Sequence, residues 1–172
     1  MLRGKVMQIE FRRANPEDLD EICGIVQAAV AHMIEQNILQ WDELYPTRED
    51  FAADIAKGQL TAGFVDGRLA VVYVLNRECD AEYADGDWKY RDEPFFVVHR
   101  LCVNPAFQRM GIAGSALRHI EGILKAMGIR EIRLDVFEKN PFALGLYEKS
   151  GFWRTGEVHW RKGRFYLMEK HI

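Results

Sequence analysis

A strand, a turn, a helix and a second strand follow one another between residues 95 and 137, and this run restricts the fold more than any other part of the chain. Phe95–Val103 (FFVVHRLCV) is rich in β-branched and aromatic residues, which is typical of a buried strand. Apolar residues recur at helical spacing over Gly111–Met127, and Gly128 ends that helix. Glu131–Phe137 then alternates as a strand does. The run therefore predicts two parallel strands joined by a right-handed crossover.

The remaining segments predict a mixed sheet with helices on its faces. Met7–Arg13 alternates as a half-buried strand, and a helix follows it from about Pro16 to Glu35. The other predicted elements are a helix from Thr47 to about Lys57, a hairpin of Leu60–Val65 and Leu69–Leu75, a surface loop over Arg77–Glu93, a short helix over Phe142–Ser150, and a closing hairpin of Phe152–His159 and Gly163–Glu169. The order β-α-α-β-β-β-α-β-α-β-β indicates an α/β fold with a mixed sheet, and not a doubly wound parallel one.

Length and charge restrict the class of protein. The 172 residues predict a single domain over 1–172, large enough for a full core. The net charge of −3 argues against a nucleic-acid binder, and no apolar run has the ~20 residues that span a membrane. The first residues do not resemble a signal peptide. The three cysteines are too irregularly spaced for a disulfide framework or a zinc site, so we expect a cytoplasmic protein without a metal.

The turn after Val103 has the features of a phosphate site. Gly111 and Gly114 open the long helix, whose first amide groups lack internal partners and carry the positive end of the helix dipole. Gln108 and Arg109 add side-chain donors. The alternative is that both glycines only allow close packing of the helix on the sheet. The segment is neither a Walker A loop nor a dinucleotide fingerprint, because the required lysine and the three-glycine spacing are absent.

Two segments resemble motifs of the GCN5-related N-acetyltransferases. Gln108–Ala113 (QRMGIA) is similar to the Q/R-x-x-G-x-G/A motif, which binds the pyrophosphate of acetyl-CoA in that family. Asn140–Phe152 is similar to the segment N-x-x-A-x-x-x-Y-x-x-x-G-F. Ala113 stands where many members have glycine, which the pattern allows. Because the motifs occur in the right order on the right elements, the resemblance covers nearly the whole chain and implies the acyl-CoA N-acyltransferase fold.

The resemblance implies direct transfer of an acetyl group from acetyl-CoA to a primary amine, in a ternary complex. Tyr147 would protonate the leaving thiolate, although a core tyrosine on an amphipathic helix is the alternative. Acetyl-CoA would lie where the two central strands splay apart, and an amide near Leu101 or Val103 could polarise the acetyl carbonyl. The residues expected to bind acetyl-CoA are Leu101, Cys102, Val103, Gln108, Arg109, Met110, Gly111, Ile112, Ala113, Gly114, Ser115 and Asn140.

The sequence does not single out a general base. His99 is a candidate because it lies two residues before Leu101 and titrates near neutral pH, although a structural histidine is the alternative. Strand alternation predicts His99, Leu101 and Val103 on one face and Arg100 and Cys102 on the other. Further candidates are Glu93, Asp135 and Glu138. Some family members use chains of water molecules instead.

Trp41, Asp42 and Tyr45 are the predicted acceptor-binding residues, since this region commonly belongs to the acceptor site in the family. Two aromatic rings and a carboxylate suit a cationic amine on a small molecule or a peptide, whereas simple packing on the domain is the alternative. The acidic Arg77–Glu93 segment is a weaker candidate. Two other functions stay open: a non-catalytic acyl-CoA sensor, and an enzyme that acetylates protein N-termini or lysines. An exposed apolar edge on the closing hairpin would support a homodimer.

Overall fold

A computed structural model describes residues 7–172 as a seven-stranded mixed sheet in the order β1-β2-β3-β4-β5-β7-β6, which confirms the predicted fold class. The strands are β1 (Glu10–Arg13), β2 (Leu60–Val65), β3 (Arg68–Asn76), β4 (Phe95–Val103), β5 (Glu131–Phe137), β6 (Trp153–Trp160) and β7 (Gly163–His171). The helices are α1 (Leu19–Glu35), α2 (Arg48–Ala56), α3 (Ile112–Ala126) and α4 (Pro141–Lys149). The order of elements along the chain is the predicted one.

The first strand is shorter than its alternating pattern predicts. It pairs with β2 from Glu10 opposite Phe64 to Arg13 opposite Thr61. The β2 strand ends at Val65, where Asp66 and Gly67 turn the chain with positive φ angles of 47° and 77°. Because β2 extends only one residue beyond Phe64, residues 7–9 have almost no partner strand to pair with.

Each face of the sheet is covered by a different pair of helices. Ile120 and Leu124 of α3 and Tyr147 of α4 pack on one face, and Ile22 and Phe51, from α1 and α2, pack on the other. None of the helices within residues 7–172 is both long and apolar enough to cross a membrane.

The segment 77–93 is not the solvated surface loop that its acidic composition predicts. Tyr83 and Trp88 are only 3% and 5% exposed and belong to a core cluster with Val97, Phe165 and Leu167. The segment therefore covers part of the sheet, because the burial of its aromatic rings favours packing more than its seven acidic residues favour full exposure to solvent.

The two central strands separate after a short paired stretch. The parallel pairing of β4 with β5 covers only Phe95–Val97 opposite Glu131–Arg133. Both strands continue beyond it, to Val103 and Phe137, without further pairing. The expected splay is therefore present, and it leaves a cleft in the middle of the sheet.

A β-bulge at Arg100 corrects the predicted faces of β4. Cys102 lies opposite Val72 and His99 opposite Val74, so two residues of β4, Arg100 and Leu101, lie between pairs that only one residue of β3 separates. Arg100 takes a positive φ of 48°. The extra residue shifts the alternation, because a bulge reverses the faces beyond it. His99 therefore faces the same side as Cys102, and not the side of Leu101 and Val103.

Candidate active site

Two cavities meet at the cleft between β4 and β5. The first cavity has a volume of about 430 Å³ and is bounded by the turn before α3, the start of α3, and α4. The second cavity has a volume of about 410 Å³ and is bounded by the segments after α1, after β3 and between β6 and β7. Both volumes are in the usual range for small-molecule sites. The residues that line both cavities are Gln40, Trp41, Leu101, Asp135 and Tyr147.

The start of α3 presents free backbone donors to the first cavity. Gly111 is the N-cap of the helix with a φ of 74°, and as a glycine it has no side chain to cap the first turn. In the first hydrogen bond of the helix, the Ser115 amide donates to the Gly111 carbonyl group at 3.1 Å. The N–H groups of Ile112, Ala113 and Gly114 therefore have no acceptor within the helix. An anionic group beside them would be stabilised by hydrogen bonds from these donors and by the helix dipole.

The glycines of this turn are not needed for packing on the sheet. A Cβ atom on Gly111 would have no neighbour within 4 Å among the described residues. A Cβ atom on Gly114 would meet only the side chain of Arg118, at 3.5 Å. Both residues line the first cavity, so the space beside them is open to a ligand.

Most of the residues predicted to bind acetyl-CoA line the first cavity, and two do not. Those in the lining are Leu101, Cys102, Val103, Gln108, Arg109, Gly111, Ile112, Ala113, Gly114 and Asn140. Met110 lies outside it with a 52% exposed side chain. Ser115 lies one residue too far along α3: its amide is already bonded to Gly111, and its hydroxyl group accepts from Arg118 at 2.9 Å.

The ladder between β3 and β4 directs a peptide group into the cleft. The Asn104 amide donates to the Ala70 carbonyl group at 2.8 Å, and Cys102 lies opposite Val72. In an antiparallel ladder the intervening residue turns its N–H and C=O groups away from the partner strand. The peptide group of Val103 therefore points towards the side that β5 leaves open.

Tyr147 and Asn140 are placed by α4. Asn140 caps that helix by accepting from the Ala143 amide at 3.1 Å, and its side-chain amide donates to Gln40 at 3.0 Å. Tyr147 is 8% exposed, and its hydroxyl group has no hydrogen-bond partner among residues 7–172. Burial raises the pKa of Tyr147 above its ordinary value, so the phenol stays protonated at neutral pH.

Asp135 is the predicted base candidate that lies at the junction of the two cavities. Its Oδ2 atom accepts from the Tyr83 hydroxyl group at 2.7 Å, and Oδ1 has no partner within the described chain. Withdrawal from water raises the pKa of Asp135 to about 6, and the Tyr83 hydrogen bond opposes that rise. A carboxylate with such a pKa is ionised at neutral pH and is a better proton acceptor than an exposed one.

The other predicted bases are less well placed. His99 lines the second cavity only, and its Nε2 atom is 2.9 Å from both Asn76 Oδ1 and the Glu78 carbonyl oxygen. Because a carbonyl only accepts, Nε2 carries the proton and Nδ1 is the basic atom. Burial lowers the pKa of His99. Glu93 and Glu138 line neither cavity; Glu93 bonds His171, and Glu138 pairs with Arg164.

Two of the three predicted acceptor residues belong to the cavities. Trp41 lines both cavities and Tyr45 lines the second. Asp42 lines neither, because its carboxylate is occupied by Arg161 at 2.8 Å, by Lys162 at 3.1 Å and by the amides of Leu44 and Tyr45. The Arg161 hydrogen bond holds the pKa of Asp42 well below its usual range. Asp42 thus fixes its own loop to the β6–β7 turn.

Sequence reasoning missed one wall of the second cavity, which is formed by Trp160 at the end of β6 and by Arg161 and Lys162 of the β6–β7 turn. The 77–93 segment, the weaker acceptor candidate, contributes Asp80 and Glu82. The mixture of acids and large aromatics over 77–93 was the available indication, because a purely solvated loop does not need three aromatic residues. Nothing local in the sequence indicates that the β6–β7 turn reaches the same cavity. Residues 7–172 contain no group of three or more side chains placed to hold a metal ion.

We expect Gly114→Val to weaken acetyl-CoA binding at least tenfold. The new side chain would occupy the open space beside the first amides of α3, where an anionic group would lie. Gly122→Val is the matched control, because Gly122 lies on the same helix, also has open space beside it and lines neither cavity. Calorimetric titration with acetyl-CoA measures both; equal affinities would show that the start of α3 does not bind the ligand.

The sequence matches a family model over residues 38–152, that of the acetyltransferase (GNAT) family. A mycothiol acetyltransferase from Geodermatophilus obscurus is 40% identical over 70 residues, which are 39% of this chain. The match spans only 22% of that relative's length.

Solved structures match nearly the full length. A GNAT-family acetyltransferase from Streptococcus agalactiae superposes with a TM-score of 0.84 at 25% identity, covering 97% of this chain and 98% of the other. A PaiA N-acetyltransferase from Thermoplasma acidophilum, solved in complex with coenzyme A, has a TM-score of 0.69 at 23% identity and covers 96% and 100%. The second likeness concerns the fold alone.

Proposed function

Because the chain belongs to the acetyltransferase (GNAT) family, we propose that it transfers the acetyl group of acetyl-CoA to a primary amine of a small molecule, held in the second cavity. The observation that carries this proposal is the meeting of the two cavities at Trp41, Leu101, Asp135 and Tyr147. One cavity has the free helix amides that suit a pyrophosphate, and a relative of the same fold was solved with coenzyme A. The other cavity shares the residues of the junction and is otherwise lined by different segments, which leaves a separate space for the acceptor.

In the proposed mechanism one residue accepts the proton that the neutral amine loses, and another donates the proton that the leaving sulfur gains. When bound, acetyl-CoA supplies the activated thioester. Asp135 Oδ1 accepts a proton from the amine nitrogen as that nitrogen bonds to the acetyl carbon. The backbone N–H group of Val103 faces the cleft, where it can donate a hydrogen bond to the acyl arm of acetyl-CoA. Tyr147 gives its proton to the sulfur as the carbon–sulfur bond breaks, so the amide and the free thiol are the products. The proton held by Asp135 then passes to the Tyr147 phenolate, since both residues line the junction of the cavities, and the enzyme returns to its starting state.

The charge of the second cavity favours a cationic acceptor. Its three cations already have carboxylate partners, because Arg100 bonds Asp54 at 2.6 Å and both Arg161 and Lys162 bond Asp42. Asp80 and Glu82 have no such partner among the described residues. Aromatic rings of Trp41, Tyr45, Trp160 and Phe165 complete the lining. We therefore propose an amine that keeps a second positive charge when the first nitrogen reacts.

Two measurements test the function. Calorimetry with acetyl-CoA tests the first cavity, and thiol release over a panel of 1,4-diaminobutane, butylamine, amino acids and a lysine peptide tests the second. Binding with turnover on a diamine supports the proposal. Binding without turnover on any amine would indicate an acyl-CoA sensor, turnover on the peptide alone would indicate a protein acceptor, and absence of binding would refute the use of acetyl-CoA.

The double variant Asp80→Asn with Glu82→Gln should raise the KM for 1,4-diaminobutane about fivefold, since each exposed carboxylate contributes a modest ion-pair energy. The KM for butylamine should change little, because it has no second charge. Asp85→Asn with Asp87→Asn is the matched control from the same segment, outside the cavity lining. Equal effects on both amines would refute the charge argument.

A further inference from the structure

We infer that Tyr83 is a positioning residue for acetyl transfer: its phenolic hydroxyl group holds the Asp135 carboxylate at the junction of the two cavities, with one oxygen left free for the acceptor amine. The inference rests on the proposed function, because Asp135 needs such positioning only if it takes a proton there. It assigns a role in proton transfer to the 77–93 segment, in addition to the part that Asp80 and Glu82 take in the second cavity.

The geometry of the carboxylate divides its two oxygen atoms. Oδ2 accepts from the Tyr83 hydroxyl group at 2.7 Å, and Oδ1 has no hydrogen-bond partner within residues 7–172. The hydroxyl group is the donor, because burial raises the pKa of Tyr83 well above its ordinary value and the phenol stays neutral. A carboxylate fixed through one oxygen has little freedom to turn the other away from the junction.

The position of Tyr83 is itself closely determined. Its ring stacks on Trp88 with 5.6 Å between centroids, and the Trp88 indole donates to the Tyr83 carbonyl group at 2.6 Å. Arg133 of β5 lies over the Trp88 ring at 4.4 Å, which ties the stack to the sheet. A Cβ atom on Gly86 would lie 2.5 Å from the Trp88 ring, so the turn between the two aromatic residues permits only glycine.

The other charged and titratable groups near Asp135 come from five parts of the chain: the 77–93 segment, the α1–α2 connection, α4, β4 and the β6–β7 turn. Asp80 lies on the same segment as Tyr83 and raises the pKa of Asp135. Tyr45, from the α1–α2 connection, and Tyr147, from α4, are neutral phenols near the carboxylate. The second cavity also brings His99, Glu82, Arg100, Arg161 and Lys162 to its walls. Among the described residues, it is Tyr83 that donates a hydrogen bond to the Asp135 side chain.

The test is Tyr83→Phe, which removes one oxygen atom and keeps the stacked ring. Loss of a hydrogen bond to the ionised carboxylate should raise the acid limb of the kcat/KM profile by about one pH unit. Turnover should therefore fall up to about tenfold below that limb and approach the wild-type value at high pH. Tyr90→Phe is the matched control, because Tyr90 lies on the same segment and stacks on His171, away from both cavities.

A double variant separates positioning from general destabilisation. In the Asp135→Asn background, Tyr83→Phe should have no further effect on the pH profile, whereas a merely structural role would add a similar loss in both backgrounds. Thermal unfolding of each variant verifies that it is folded.

A measurement without turnover distinguishes failure of this inference from failure of the proposed function. Carbon-13 NMR of the aspartate carboxyl groups, with Asp135 identified by its loss in Asp135→Asn, gives the pKa directly. An upward shift in Tyr83→Phe supports the inference even if no tested amine is acetylated. An unchanged pKa, or an unchanged acid limb in an active enzyme, would overturn it while leaving the transferase function intact.

Discussion

Asp135→Asn is expected to lower kcat about 100-fold or more while leaving acetyl-CoA affinity nearly unchanged, because loss of a general base typically costs 10²–10⁴ in rate. The carboxylate lies at the junction of the cavities with one oxygen free. In the proposed mechanism the ionised carboxylate is the active form, and burial raises the pKa of Asp135 to about 6, so activity should fall as the pH drops through that value. Steady-state kinetics from pH 5 to 9 measure both effects, and the acid limb should disappear in the variant.

The other carboxylates predicted as bases provide the controls. Glu93→Gln and Glu138→Gln should retain most of the activity, because neither side chain lines a cavity. His99→Gln tests the remaining candidate, which reaches only the second cavity. If His99→Gln removes the acid limb and Asp135→Asn keeps it, the base is the histidine.

Tyr147→Phe is expected to lower kcat about 100-fold with acetyl-CoA affinity within about twofold of wild type. The residue is only 8% exposed and lines both cavities, and its hydroxyl group has no hydrogen-bond partner within the described chain. Its removal therefore takes away the proposed proton donor for the sulfur without breaking a structural hydrogen bond. Thiol-release kinetics and calorimetry measure the two quantities.

Tyr166→Phe is the control for Tyr147→Phe, because Tyr166 is a partly buried tyrosine that lines neither cavity. Its kcat should stay close to the wild-type value. Unchanged turnover in Tyr147→Phe would return Tyr147 to the role of a core tyrosine and refute its assignment as the acid.

The features predicted from the sequence are those that depend on local pattern. Apolar periodicity and turn residues predict the order of elements, and the two motifs predict most of the first cavity and Tyr147. The phosphate-binding interpretation of Gly111 and Gly114 gains support over simple packing, because neither glycine lies against the sheet.

What the sequence did not predict depends on contacts between distant segments. The bulge at Arg100 changes the face of His99, and strand alternation gives no warning of an extra residue. Asp42 lies beside aromatic residues, as expected of a carboxylate that binds a cationic substrate. Its carboxylate is already paired with Arg161 and Lys162, which lie more than a hundred residues away in the chain. Asp135 could be named as a candidate and not chosen, because its partner Tyr83 lies 52 residues earlier in the chain.

The 77–93 segment contributes both to the acceptor cavity and to the hydrogen bond on Asp135. It therefore links acceptor specificity to the pH dependence of activity, which could otherwise vary separately. Asp80 and Glu82 line the proposed acceptor cavity, and Tyr83, the next residue, donates a hydrogen bond to Asp135, the proposed base. A sequence change here that adapts the enzyme to a new amine will also tend to alter the pH at which it works. Evolution or laboratory selection for acceptor choice would therefore meet a trade-off in this segment, whereas the turn before α3 can stay unchanged and keep the acyl donor the same.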